Sequence, residues 1–231
     1  MGKEIKVFTQ MFYPDISATA KILSDLFFNL DKNYKINVIC QNRSYIFPEI
    51  EYELETKIEN IFIKRIKVGK TNKNNLFSRL INFITLYHHF HKELKNSYEE
   101  IFFCVSNPPF LPYITIKEAK RKNKKSVFLL YDLYPDVLIK LGTIKKSSII
   151  SKVMYRMNSY AFENADKVIV LGRDVKKYLL DNYNIKDYKI EIITNWGNNE
   201  INKTNTDFRK KHDLQNKFVI MYTGNLGETA E

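Results

Sequence analysis

Glycine, cysteine and tryptophan are scarce in this chain, and so are acidic residues. Seven glycines in 231 residues leave each one informative about position. The two cysteines, Cys40 and Cys104, form neither a CxxC pair nor a metal-binding spacing. Both lie among apolar neighbours in strand-like segments and read as buried free thiols, as expected in a reducing compartment. No apolar run approaches the ~18 residues that would mark a membrane-crossing helix. The opening MGKEIKVFTQ passes straight into a strand and reads as lacking a signal peptide. Internal repeats, low-complexity blocks and Pro/Ser-rich linkers are absent. What is present suits a globular chain: 44% hydrophobic and 14% aromatic residues. The net charge of +11 implies attraction to nucleic acid, anionic lipid head groups or phosphorylated substrates. A general bias toward Lys and Asn is the lesser alternative explanation of the charge.

Strand-like and helix-like patterns alternate. Strands are expected at 4–10, 34–40, 60–68, 100–105, 126–131, 166–171 and 189–193, with helices at 17–30, 75–95, 110–122, 147–164 and 173–182. Short apolar strands separated by helices predict a parallel sheet covered on both faces, an α/β doubly wound domain. Ligands of such sheets sit beyond the carboxyl ends of the strands. The polar stretch 195–212 suits a linker, and 218–223 reads as one further strand before Gly224-Asn225-Leu226-Gly227.

Four strand ends carry unusual residues. After the first, Ser17 and Ala18 open a helix whose free N–H groups could meet an anion; a plain cap by Asp15 or Ser17 is the alternative. After the fourth, Ser106-Asn107-Pro108-Pro109 predicts a rigid turn that holds Asn107 at the sheet edge. After the fifth, Asp132 falls at the strand tip, where a carboxylate can accept a proton from a hydroxyl or bind sugar hydroxyls. Asp136 follows at the start of a short helix, as a cap or a pocket residue. After the seventh come Asn195 and Trp196, the latter either a plug between domains or a flank to a ligand.

QMFYPDISATA, SNPPF, YDLYPDV, ENADKVIVLGRDVKKYL, IITNWGNNE and VIMYTGNLG occur in an order that resembles the family 4 glycosyltransferases of the GT-B fold. The likeness is strongest to the branch that glycosylates lipid-linked precursors of bacterial surface polysaccharides. It implies two Rossmann-like domains, acceptor-binding before donor-binding, and a retaining, metal-independent transfer from a nucleotide-sugar with no cofactor. By resemblance, Asp132 matches the aspartate of an Asp-Leu-Trp-Pro motif, with Tyr134 in place of the tryptophan. Asn107 and Pro108 match a Ser-Pro-Pro turn, and Asn195 and Trp196 an interdomain Asn-Trp. Gly224, Asn225 and Gly227 match a Gly-Asn-Leu-Gly loop near the donor diphosphate. Where relatives usually carry glycine, this chain has Ser17-Ala18-Thr19-Ala20. The paired glutamates of the donor domain have no counterpart.

Residues 74–95 carry Leu76, Phe77, Leu80, Ile84, Tyr87 and Leu94 on one expected helical face with basic flanks, the makeup of a helix lying on an anionic membrane surface. His88, His89 and His91 do not face one point on a helix, so no metal site is expected there. The basic run 117–125 reads as charge at a helix C-terminus or a contact for lipid head groups. Nucleic acid is the disfavoured partner, because the aromatics are not interleaved with the basic residues.

The expectation is an acceptor-binding Rossmann-like domain over 1–197 and, over 198–231, a linker and the start of a donor domain lacking most of its length. Transfer to a lipid-linked saccharide in bacterial surface polysaccharide synthesis is expected in the cytoplasm, peripherally on the inner face of the membrane. Alternatives are an inactive fragment, or one subunit of a split transferase paired with a separately encoded donor domain. A basic nucleic-acid-binding α/β protein is the remaining alternative.

Overall fold

The computed structural model describes residues 3–70, 76–197 and 207–221. The chain divides into two compact units, Met1–Asn195 and Trp196–Glu231. The first is built on an eight-stranded sheet of order β3-β4-β2-β1-β5-β6-β7-β8. Its strands are β1 (Lys3–Phe8), β2 (Tyr34–Gln41), β3 (Glu55–Ile58), β4 (Ile61–Ile66), β5 (Ile101–Val105), β6 (Lys125–Leu130), β7 (Lys167–Val170) and β8 (Ile190–Ile192). All neighbours pair in parallel except β3, which runs antiparallel to β4. The α/β doubly wound class predicted from the sequence is the fold found.

The sequence pattern overlooks β3. Glu-Thr-Lys-Ile never buries a side chain, because an edge strand is held by its ladder bonds, and charge on it discourages pairing with other chains. In the opposite sense, the strand expected at 218–223 does not form over its described residues, 218–221. Phe218 is 93% exposed and Ile220 88%. A strand needs a neighbour to take its N–H and C=O groups, and an apolar run alone does not supply one.

Parallel strands need crossovers, and here each is helical apart from the β2–β3–β4 excursion. The helices of the first unit are α1 (Ala18–Leu30), α2 (Leu76–Asn96), α3 (Leu111–Arg121), α4 (Asp136–Lys140), α5 (Ile149–Asn164) and α6 (Arg173–Asn182). Successive side chains of the strands point to opposite faces. Phe103 and Val105 of β5 therefore join Leu23 and Phe27 of α1 in one core. Phe102 and Cys104 of the same strand join residues of α2, α3, α5 and α6 in the other. Phe8 meets Phe90 of α2 and Phe102 edge-on at 6.2 and 6.1 Å. Cys40 and Cys104 are free and buried, and burial raises both thiol pKa values, that of Cys40 to about 12.

The basic run 117–125 works structurally. Lys122 donates to the carbonyls of Leu94, Lys95 and Ser97 at 2.8, 2.7 and 2.6 Å, closing the C-terminus of α2, where a cation is favoured. Lys124 donates to the carbonyl of Tyr98, and Lys125 pairs with Asp166. In the second unit, Arg209 of α7 (Phe208–Lys211) donates to the carbonyls of Leu214 and Lys217.

Phe8→Ala removes a ring fully buried between β5 and α2. It is expected to lower stability by about 3–5 kcal/mol in urea unfolding followed by circular dichroism.

Candidate functional site at the strand tips

Because the central strands are parallel, the loops after β1, β2, β4, β5, β6 and β7 emerge at one end of the sheet. Their polar groups are wired to one another. Asp15, buried in the loop after β1, accepts the N–H of Ser17 at 2.8 Å and that of Tyr45, beyond β2, at 2.7 Å. Arg65 near the end of β4 is also buried. It donates to the carbonyls of Glu53 and Tyr13 and to the hydroxyl of Thr56. These two residues hold the first loop on the sheet. The sequence reading gave Asp15 only a capping role and passed over Arg65; its period-two register with Ile61 and Ile63 on the buried side of β4 was the available signal.

Ser17 is the N-cap of α1 and makes no side-chain cap bond; its hydroxyl instead contacts the sulfur of Met11 at 3.5 Å. Ala18 is the first helical residue and is exposed. Asp15 takes the N–H of Ser17 itself, so the opening N–H groups of α1 are not capped by either side chain.

Asp132 lies just past the end of β6, where it is exposed. Its backbone is fixed by a residue that the motif reading quoted without a role. The buried hydroxyl of Ser106, beyond β5, accepts the N–H of Asp132 at 2.9 Å and that of Tyr131 at 3.1 Å. One side chain thus joins the two central strand tips. Removal of water by the surrounding protein raises the Asp132 carboxyl above its ordinary pKa. Tyr134 is pushed up to about 12, first by burial and then by the charges of Asp132 and Tyr45.

Asn107 is half-buried and Pro108 buried in the adjacent loop. The peptide bonds preceding Pro14, Pro108 and Pro135 are cis. Asp136 behaves differently from its neighbours. It makes no cap bond, and one carboxylate oxygen accepts the hydroxyls of Tyr155 on α5 and Tyr178 on α6 at 2.9 and 2.7 Å. Together with Lys140, Lys146 and Tyr183 these groups line a cavity of about 490 Å³. No bond joins Asp136 to Asp132 among the described residues. A second cavity, of about 340 Å³, is lined by Lys120, Lys124, Lys125 and Asp166 at the other end of the sheet.

Asn195 closes the first unit and is exposed; Trp196 opens the second and is 44% exposed. Gly224, Asn225 and Gly227 lie outside the described residues. Among the described residues no three His, Cys, Asp or Glu side chains converge as a metal site.

No protein-family profile matches the chain. It is 25% identical over 167 residues to the probable glycosyltransferase WbjE of Pseudomonas aeruginosa, covering 70% of this chain and 42% of that protein. WaaG, a glycosyltransferase involved in lipopolysaccharide biosynthesis, superposes with a TM-score of 0.58 at 10% identity, covering 92% of this chain and 52% of its own. The chain has the Rossmann-like fold of one half of a GT-B glycosyltransferase. Two other solved structures share it: sucrose-phosphate synthase from Thermosynechococcus elongatus (TM-score 0.57, 12% identity, covering 92% of this chain and 53% of that one) and HepE of Anabaena in complex with UDP-glucose (0.53, 11%, 91% and 49%). The chain spans about half the length of these GT-B proteins, or less.

Within this GT-B domain, desolvation of Asp132 carries a sign that can be tested. A carboxyl whose folded pKa is raised destabilises the fold once ionised, and that penalty disappears below its unfolded pKa. Asp132→Asn is therefore expected to raise stability at pH 7 by about 0.5 kcal/mol or less. The gain should vanish as the pH falls through the ordinary Asp range, as checked by thermal melts across pH. Ser106→Ala leaves two backbone N–H groups without their acceptor. It is expected to cost about 1–3 kcal/mol and to speed amide exchange at Tyr131 and Asp132.

Proposed function

We propose that this chain supplies the acceptor-binding domain of a retaining, metal-independent glycosyltransferase, which moves a sugar from a nucleotide-sugar to a lipid-linked saccharide at the inner face of a bacterial membrane. The observation that carries the reading is the placement of Asp132. A carboxylate that has lost part of its water stands at the tip of a central strand, with its backbone pinned by Ser106. Such a group is suited to accept the proton or hydrogen bond of an acceptor hydroxyl, and its raised pKa strengthens it as a base. Asn107 and Pro108 on the neighbouring strand tip would form one wall, with Tyr134 and Tyr45 opposite. Asp136 would act on the pocket indirectly, by tying α4 to α5 and α6 through the two tyrosines. Asn195 and Trp196 are carried as substrate-binding residues by the resemblance alone.

Support comes from the resemblance of the motifs, from WbjE, and from the GT-B neighbours, HepE among them with UDP-glucose bound. Donor binding belongs in this scheme to a second domain, and the resemblance assigns Gly224, Asn225 and Gly227 to the donor diphosphate. Rate enhancement would come from holding the two substrates together and from stabilising the departing diphosphate.

The test is transfer of labelled sugar from a nucleotide donor to a lipid-linked acceptor by an enzyme containing this domain and a donor domain. Asp132→Ala is expected to lower kcat by about 10²-fold or more. Unchanged transfer would remove Asp132 from the mechanism. Turnover of nucleotide-sugar by the 231-residue chain alone would overturn the division of labour between domains.

A further inference from the structure

Helix α2 is apolar on two faces. Leu86, Phe90 and Leu94 recur every fourth residue on its buried side, so Leu94 belongs to the core stripe, not with Leu80, Ile84 and Tyr87 as the sequence spacing suggested. The side chains of Leu76 and Phe77 lie outside the described residues. Leu80, Ile84 and Tyr87, spaced by four and three, form a second stripe turned to solvent, and Ile84 is 57% exposed. A helix that is apolar all round is ordinarily buried or in contact with lipid.

The first turn of α5 repeats this pattern. Ile149 is 80% exposed, and Ile150 and Val153 are exposed beside it. They are held out by a built turn. Helix α4 ends in a Schellman motif at Gly142, where φ is +69°; the N–H groups of Gly142 and Thr143 bond back to Ile139 and Leu138. Ser148 then caps α5 through the N–H of Ser151, whose hydroxyl donates to the carbonyl of Lys145.

Both segments carry charge of one sign. From Asn60 to Lys92 there are seven Lys or Arg and no Asp or Glu, of which Lys64 pairs with Glu93 of α2 and Arg65 is buried; from Val137 to Phe162 there are five and none. Lys145, Lys146, Lys152 and Arg156 are exposed around the α5 apolar group. Both helices return from a strand's carboxyl end to the next strand's start, so the exposed residues in the first half of α2 and the first turn of α5 lie at the Asp132 end of the sheet. Helices α2, α3 and α5 cover the same face, α3 packing between the other two through Phe83–Phe110 and Tyr113–Tyr160.

We infer that the exposed stripe of α2 and the first turn of α5 together form a docking platform for an anionic lipid bilayer, which turns the Asp132 end of the sheet toward the membrane. Apolar side chains would enter the head-group boundary while lysines meet lipid phosphates. This deepens the functional reading in one respect, the lipid-linked acceptor, and assigns the basic run 117–125 no part. That run lies at the far end of the sheet with several of its cations already bonded within the fold.

The experiment is sedimentation of the full chain with phosphatidylglycerol-containing vesicles and with pure phosphatidylcholine vesicles, neither holding any saccharide. Binding is expected to the anionic vesicles only. Leu80→Glu/Ile84→Glu and Lys145→Glu/Lys146→Glu are each expected to weaken it by at least about tenfold, with thermal melts unchanged because these side chains are exposed. Lys124→Glu/Lys125→Glu at the opposite end should change it by less than about twofold. Absence of binding, or equal loss from the far-end variant, overturns the platform. A dimer in analytical ultracentrifugation that the Leu80/Ile84 variant dissociates would also overturn it, making a second copy the occupant. Vesicle binding is scored without sugar transfer, so a failure here leaves the transferase reading standing, and a failure of transfer leaves this one standing.

Discussion

Parallel strand pairing is the constraint on which the rest of this protein depends. Once β1, β2 and β4 through β8 run the same way, every return path must cross the sheet, and every outgoing loop must open at one end. That geometry gathers loops separated by more than a hundred residues of sequence. It lets one hydroxyl, Ser106, organise two strand tips at once. It also leaves the opposite end free for purely structural charge, where Lys122 closes the C-terminus of α2.

The carboxyl edge combines rigidity with polar groups left open. Asp15 and Arg65 are buried and spend their bonding capacity on the backbone of neighbouring loops. Asp132 is exposed, and its carboxylate has lost part of its water without gaining a cation. A charged group kept in that condition is a cost to folding, and such costs tend to be retained where a substrate supplies the missing partner. The contrast with Asp136 is instructive. Only three residues separate it from Asp132, yet two tyrosine hydroxyls occupy one of its oxygens and direct it to the outer helices.

Much of this was legible in the residues. Period-two and period-3.6 patterns located every long helix and all but one strand of the sheet, because burial on two faces leaves a strong apolar signature. Edge strand β3 escaped because its stability comes from backbone bonds that carry no sequence pattern. The stretch 218–221 was misread for the converse reason, since an apolar run without a partner does not make a strand. Among site residues, Asp132 stood out because nothing local explained it. Ser106 and Arg65 stayed hidden because their roles exist only across strands.

By itself the sequence determined the fold class, the order of elements and the presence of a carboxylate at a strand tip, all of which follow from local propensity and burial period. The tertiary structure alone decided which acidic side chain stays open and which is claimed by tyrosines. It decided too that Leu94 belongs to the core and Ile84 to solvent, and that the exposed apolar residues in the first half of α2 and the first turn of α5 share one end of the sheet. Those outcomes depend on which distant residues the parallel topology brings together, and no local pattern records that distance.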